Sequence, residues 1–128
     1  MAISDYQITL CVSSRLHRIE DVAHCIAASP VRVSAAGPSR DDNRAFWYFE
    51  QKAGEGFDDA LSRAVNWACG YAELLSPIED ASLLLWCEVH SETEFAGLAF
   101  QSADMMRLGQ CGMDLLVSVY AEQEGAAK

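Results

Sequence analysis

The sequence predicts an α+β fold with a single, largely antiparallel sheet and helices packed on one face. Segments in which apolar and polar residues alternate are interspersed with segments of helical spacing, and the extended segments are short. The composition, 51% hydrophobic and 22% charged, is that of a globular domain. Along the chain the periods predict the order β-α-β-β-α-β-β-α-β, in a ferredoxin-like or related arrangement.

The first half of the chain contains three predicted strands and one helix. Residues 6–13 alternate and predict a strand with one buried face, whereas residues 17–28 have helical spacing. Pro30 ends this helix, because the residue before a proline is disfavoured in helical geometry. Val31–Val33 predicts a short extended segment. Residues 44–51 hold four successive aromatic side chains, which favours a strand packed on both faces.

The second half predicts a long helix, a hairpin, a short helix and a final strand. The helix spans residues 58–75, and the hairpin pairs residues 82–90 with 94–100. Ser102 is the predicted N-cap of the short helix, and Gly112 is its stop. Residues 113–120 alternate again and predict the last strand.

Length and segment composition predict one domain in a reducing compartment. We expect residues 1–120 to form the domain and residues 121–128 a flexible tail. The N-terminus lacks a basic segment followed by an apolar one, and the longest apolar run is Leu83–Cys87, too short to span a membrane. The five cysteines include no CxxC pair and are typical of buried thiols. We therefore expect a cytoplasmic protein that does not bind a membrane.

The charge is strongly acidic and unevenly distributed. The net charge is −10; residues 1–64 contribute −2 and residues 65–128 contribute −8. The sequence contains no cluster of Lys and Arg, so we expect no direct binding to nucleic acid. A basic protein partner is compatible with this charge, although acidity also serves solubility alone. Glu88, Glu92 and Glu94 are the acidic residues predicted to contact such a partner.

Three polar residues of the first predicted helix are candidate metal ligands. His17, Asp21 and His24 lie at i, i+4 and i+7, opposite the apolar stripe. Imidazoles and a carboxylate at this spacing suit a divalent metal. A solvated helix face collects the same residue types, and the sequence indicates no fourth ligand. No cofactor is predicted.

The aromatic residues admit a core, a ligand pocket or an exposed surface. Most of them are expected in a core between sheet and helix. In a one-sided sheet, however, Trp47 or Tyr48 falls on the uncovered face, where an apolar patch would mark a partner surface or a homodimer interface. The chain contains no phosphate-binding glycine loop, no GxSxG and no HExxH motif, so no residue set predicts an enzyme.

Three stretches together resemble the bacterial family labelled domain of unknown function 4279. They are the helix from Ile19 with Pro30-Val31-Arg32 and Gly37 after it, Trp47 opening a strand, and Leu98-Ala99-Phe100 before a capped helix, Gly112 and a strand ending at Tyr120. The chain departs from the family at Ser34 and Ala36, where relatives often carry an aromatic and a basic residue. Some members resemble immunity or partner proteins of bacterial toxin systems, so the resemblance implies an interaction role.

These observations predict a non-enzymatic protein-binding or accessory module, immunity-like and able to neutralise a basic partner. The alternative is a small-ligand or metal-binding domain that uses the aromatic strand or the face of His17, Asp21 and His24.

Overall fold

Over the residues that it describes, the computed structural model shows an α+β protein with one mixed five-stranded sheet and three helices. It describes residues 3–26, 30, 32–34, 36–38, 40–92 and 98–121. The elements in chain order are β1 (Ile3–Ser14), α1 (Ile19–Ile26), β2 (Arg32–Ser34), β3 (Asn43–Tyr48), α2 (Phe57–Leu74), β4 (Ser82–Ser91), α3 (Ser102–Gln110) and β5 (Met113–Ala121).

The strand order in the sheet is β2-β3-β1-β4-β5, so the first strand of the chain is the central one. β1 pairs antiparallel with β3 on one side and with β4 on the other, and β2 pairs antiparallel with β3. The alternation predicted for residues 6–13 holds along β1: its even-numbered side chains from Tyr6 to Val12 enter the core. The sequence thus predicted the strand and its buried face correctly.

The pairing of β4 corrects the prediction of a hairpin between residues 82–90 and 94–100. β5 pairs with β4 in parallel, from Leu83 opposite Met113 to Ser91 opposite Ala121. Two strands joined through a helix, here α3, enter the sheet from the same end and run parallel, whereas a tight turn would reverse the chain. Of the predicted strand 94–100, residues 94–97 lie outside the described residues, and Leu98–Phe100 are not in a strand.

The core lies between one face of the sheet and the helices. α2 supplies its longest apolar stripe, with Phe57, Leu61 and Val65 at 3% exposure or less. Against it lie the side chains of β1 and β4, of which Ile8, Leu10, Leu85 and Cys87 are fully buried. Burying such side chains contributes about 1.5–3 kcal/mol each, so this layer is the main source of stability.

An aromatic cluster and one polar contact fix the helices. Trp67 of α2 lies 5.3 Å from Phe49 and 5.1 Å from Tyr71, measured between ring centroids. The Ser62 hydroxyl donates a 2.6 Å hydrogen bond to the nearly buried Asp104 carboxylate, which joins α2 to the first turn of α3. Ser102 is the first residue of α3 rather than its cap, which is Gln101.

Gly112 joins α3 to β5 in a conformation that favours glycine. Its φ is +66°, the left-handed region, and no atom lies within 4 Å of an added Cβ. We expect Gly112→Ala to destabilise the protein by about 1 kcal/mol, because only the backbone conformation resists the side chain. Urea denaturation measures this change.

Gly70→Ala is the matched control. Gly70 lies inside α2, is exposed, and also has no atom near an added Cβ. We expect it to stabilise the protein by up to about 1 kcal/mol, since alanine is the better helix former. Equal effects of the two substitutions would contradict the backbone argument.

Candidate interaction surface

The face of the sheet away from the helices is exposed and rich in apolar side chains. We call it the open face; its aromatic and aliphatic members are Phe46, Tyr48, Leu84, Trp86, Leu116 and Tyr120. Strand alternation sends them there, because successive side chains point to opposite faces. Cys11 and Phe46 are buried yet stand outside the core cluster, so their own neighbours on this face, and no described helix, shield them.

One row of paired residues crosses all five strands of the open face. It runs from Arg32 through Phe46, Cys11 and Leu84 to Asp114. The Arg32 guanidinium lies 4.1 Å above the centre of the Phe46 ring, a cation–π contact that holds the ring against the sheet. Burial raises the pKa of the Cys11 thiol, so this thiol stays protonated and unreactive at neutral pH.

The next row holds the most exposed aromatic residue of the open face, Tyr48. Tyr48, Thr9, Trp86 and Leu116 lie side by side across four strands. The exposed fraction is 52% for Tyr48, the last residue of β3, and 46% for Leu116, on the edge strand β5. The Trp86 indole N–H donates to the Ser118 hydroxyl at 3.3 Å, which fixes the ring on the surface. This row is the apolar centre of the open face.

The predicted partner residues divide between the two faces of the sheet. Trp47 is 4% exposed and lies in the core 6.5 Å from Tyr71, so the prediction that it contacts a partner is corrected. Its register position opposite Leu10 sends its side chain toward the helices, whereas Tyr48, one residue later, reaches the open face. Glu88 lies on the open face, Glu92 is exposed beyond β4, and Glu94 lies outside the described residues.

The predicted metal ligands are not brought together. α1 begins at Ile19, so His17 precedes the helix and the helical spacing to Asp21 and His24 does not apply. His17 turns toward Asp80 instead, and Asp21 pairs with Arg18 at 3.7 Å. Within the described residues, no three His, Cys, Asp or Glu side chains form a group able to hold a metal.

Sequence reasoning missed a polar cluster at the end of β1, centred on Asp80. The Asp80 carboxylate accepts hydrogen bonds from the Ser14 hydroxyl at 2.6 Å and from the backbone N–H groups of Arg15 and Leu16 at 2.8 and 3.0 Å. His17 Nδ1 lies 3.2 Å from the same carboxylate. The Ser14 hydroxyl, helped by these backbone amides, holds the pKa of Asp80 far below its usual range.

Although it contains Ser, His and Asp, this cluster lacks the geometry of a catalytic triad. In a triad one imidazole nitrogen contacts the serine and the other contacts the carboxylate. Here His17 Nδ1 approaches both groups, and the Ser14 hydroxyl, 2% exposed as a residue, donates directly to Asp80. The cluster therefore serves as a clamp that closes the turn after β1 onto the turn before β4.

A cleft of about 520 Å³ lies beside this clamp and contains Asp41, Asp42 and Asp80. Asp42 is 2.7 Å from the Arg40 guanidinium and 3.2 Å from that of Arg44. Asp41 is 3.3 Å from Arg15. Asp41 and Asp42 therefore already have arginine partners within the chain.

The cysteines of the described core are unreactive. Burial raises the pKa of Cys87 to about 12 and, together with a contact to Cys111, that of Cys69 to about 11. Both thiols are protonated at neutral pH, which makes them poor nucleophiles and metal ligands.

No family model, no curated protein and no solved structure matches the chain. The resemblance to the family labelled domain of unknown function 4279 stays a prediction. Among the described helices, none combines the length and apolar character required to cross a bilayer.

The clamp makes stability depend on ionised Asp80. We expect Asp80→Asn to lower the urea midpoint at pH 7, because an amide accepts these hydrogen bonds more weakly than a carboxylate. The folded pKa lies below the usual value of 3.8, so the stabilisation is present above pH 3.8 and is lost as the pH falls below it. The difference in urea midpoint between the parent and the Asp80→Asn protein is therefore expected to be smaller at pH 3 than at pH 7.

Glu79→Gln, an exposed neighbour in the same turn, is the control and should leave the midpoint unchanged at pH 7. An Asp80→Asn protein as stable as the parent at pH 7 would show that the clamp is dispensable.

Proposed function

We propose that this protein is a non-enzymatic protein-binding module whose contact surface is the open face. The observation that carries the proposal is the row of exposed Tyr48, half-buried Trp86 and exposed Leu116, over which no described helix lies. Contiguous apolar patches of this kind mark interaction sites, and Tyr and Trp are enriched where protein interfaces concentrate their binding energy.

The surroundings of the row support a protein partner. Charged and polar residues flank it: Arg32 and Arg44 lie on the side of β2, and Glu88 and Asp114 lie on the side of β5. An apolar centre with a polar rim is the usual anatomy of a protein interface. The net charge of −10 adds preference for a basic protein and would speed its association.

Two finer assignments belong to the same proposal. The order β-α-β-β-α-β with strand order β2-β3-β1-β4 supports a ferredoxin-like unit, which α3 and β5 extend by one parallel strand. We propose that the chain belongs with the bacterial family labelled domain of unknown function 4279 and acts in the cytoplasm as an accessory or immunity-like protein. Its acidic charge and open face support that role.

The proposal predicts that a charge in the apolar row abolishes partner binding. Tagged protein is used to purify partners from source-cell lysate at low and high salt, and the protein recovered in fixed ratio is then produced and titrated by calorimetry. We expect Leu116→Glu to weaken binding at least about tenfold, because the carboxylate would be buried without a partner.

Met106→Glu is the matched control, since Met106 is 64% exposed on α3, on the opposite side of the sheet. It should bind like the parent. Equal binding by the parent and the Leu116→Glu protein would contradict the proposal that the open face is the contact surface.

A further inference from the structure

We infer that the occupant of the open face is a second copy of this chain, stacked face to face around a twofold axis parallel to β1. The inference rests on the proposed function, since it uses the same surface, and it assigns that surface to a second copy rather than to a basic protein. It is drawn from the distribution of charge across the sheet, from the central position of β1 and from the area of the face.

The charges that end the row from Arg32 to Asp114 are opposite and exposed. Arg32 lies on the edge strand β2, and Asp114 lies on the other edge strand, β5. Within the described part of the chain, Asp114 has no ion pair or hydrogen bond, and Arg32 contacts the Phe46 ring alone. Each edge therefore presents one charge that no described side chain neutralises.

A twofold axis parallel to the strands brings these two charges together. Because β1 is the middle strand of five, the rotation places β1 over its copy, β3 over β4, and β2 over β5. Arg32 then faces Asp114 of the second copy, and the symmetry repeats this pair at the opposite edge. Within the same row, Phe46 faces Leu84 of the second copy. In the next row, Tyr48 faces Trp86 of the second copy.

The side chains along the axis are small, which favours close approach. Thr9 and Cys11 are the open-face residues of β1 in these two rows, and they are 5% and 8% exposed. The larger rings of Tyr48 and Trp86 stand to either side of them. Stacked sheets lie about 10 Å apart and cross at about 30°, which moves the outer strands by about 5 Å, a distance that an arginine side chain spans.

The other twofold arrangement is unfavourable. An axis perpendicular to the strands keeps each strand over its own copy, so the Arg32 edge would meet the Arg32 edge and Asp114 would meet Asp114. Like charges opposite one another at an interface disfavour association. Charge thus selects the axis parallel to β1.

The area of the open face is sufficient for a specific dimer. Strands about 4.8 Å apart and rising about 3.4 Å per residue give a face of roughly 24 Å by 27 Å. Two such faces bury on the order of 1,200 Å², the lower end of the range for specific complexes. The net charge of −10 on each copy opposes association, but at 0.15 M salt charges beyond about 8 Å are screened, so the contacting pairs dominate.

Charge exchange between the two edges tests the inference. Sedimentation equilibrium of the full chain at 0.15 M salt should give twice the 14.0 kDa chain mass. Arg32→Asp and Asp114→Arg, each alone, place like charges opposite one another twice per dimer and should weaken dimerisation at least about tenfold. The double variant re-forms both pairs with reversed polarity and should return to within about threefold of the parent.

Met106→Glu again serves as the control and should dimerise like the parent, and circular dichroism confirms that every variant is folded. A parent that stays monomeric at 100 µM, single exchanges that dimerise like the parent, or a double exchange that stays as weak as the single ones would each overturn the inference. If the parent is monomeric but binds a different protein, and Leu116→Glu abolishes that binding, the self-association is overturned and the proposed function stands.

Discussion

The structure depends on the central position of β1. This strand forms hydrogen-bonded ladders on both sides, and its even-numbered side chains from Tyr6 to Val12 fill the core beneath α2. Its odd-numbered side chains from Gln7 to Ser13 form the middle of the open face. Because one strand supplies both surfaces, a slip of one residue in its register would exchange the buried set for the exposed set. The core and the candidate interface are therefore fixed by the same alternation.

The clamp at Asp80 explains how that register is held at the end of the strand. β1 ends at Ser14, the chain turns there, and the turn has backbone N–H groups that need acceptors. Asp80, two residues before β4, supplies a carboxylate that accepts from Ser14, Arg15 and Leu16 at once. A polar cluster that resembles a catalytic set in composition is thus explained by hydrogen bonds from the end of β1 and the turn after it to the Asp80 carboxylate.

The open face is the side of the sheet that no described helix covers, and part of its apolar area is exposed. The three described helices cover one face, and the sequence still places aromatic and aliphatic residues on the other. Side chains such as Arg32, laid over the Phe46 ring, cover part of that apolar area. The remainder is concentrated in the row of Tyr48, Trp86 and Leu116, which crosses four strands and reaches the edge strand β5. That location suits a broad, flat contact better than a pocket for a small ligand.

The sequence by itself determined the types of most elements, although not of the predicted strand 94–100, because alternation and helical spacing are local. It predicted β1, α2, β4 and β5 close to their observed bounds. Only the tertiary structure decided that β5 joins β4 in parallel, that Trp47 faces the core and that His17 turns to Asp80. These outcomes depend on pairings between distant segments, such as Ser14 with Asp80, and no local period encodes them. The two edges of the row from Arg32 to Asp114 are likewise far apart in the chain, and sheet order alone aligns them.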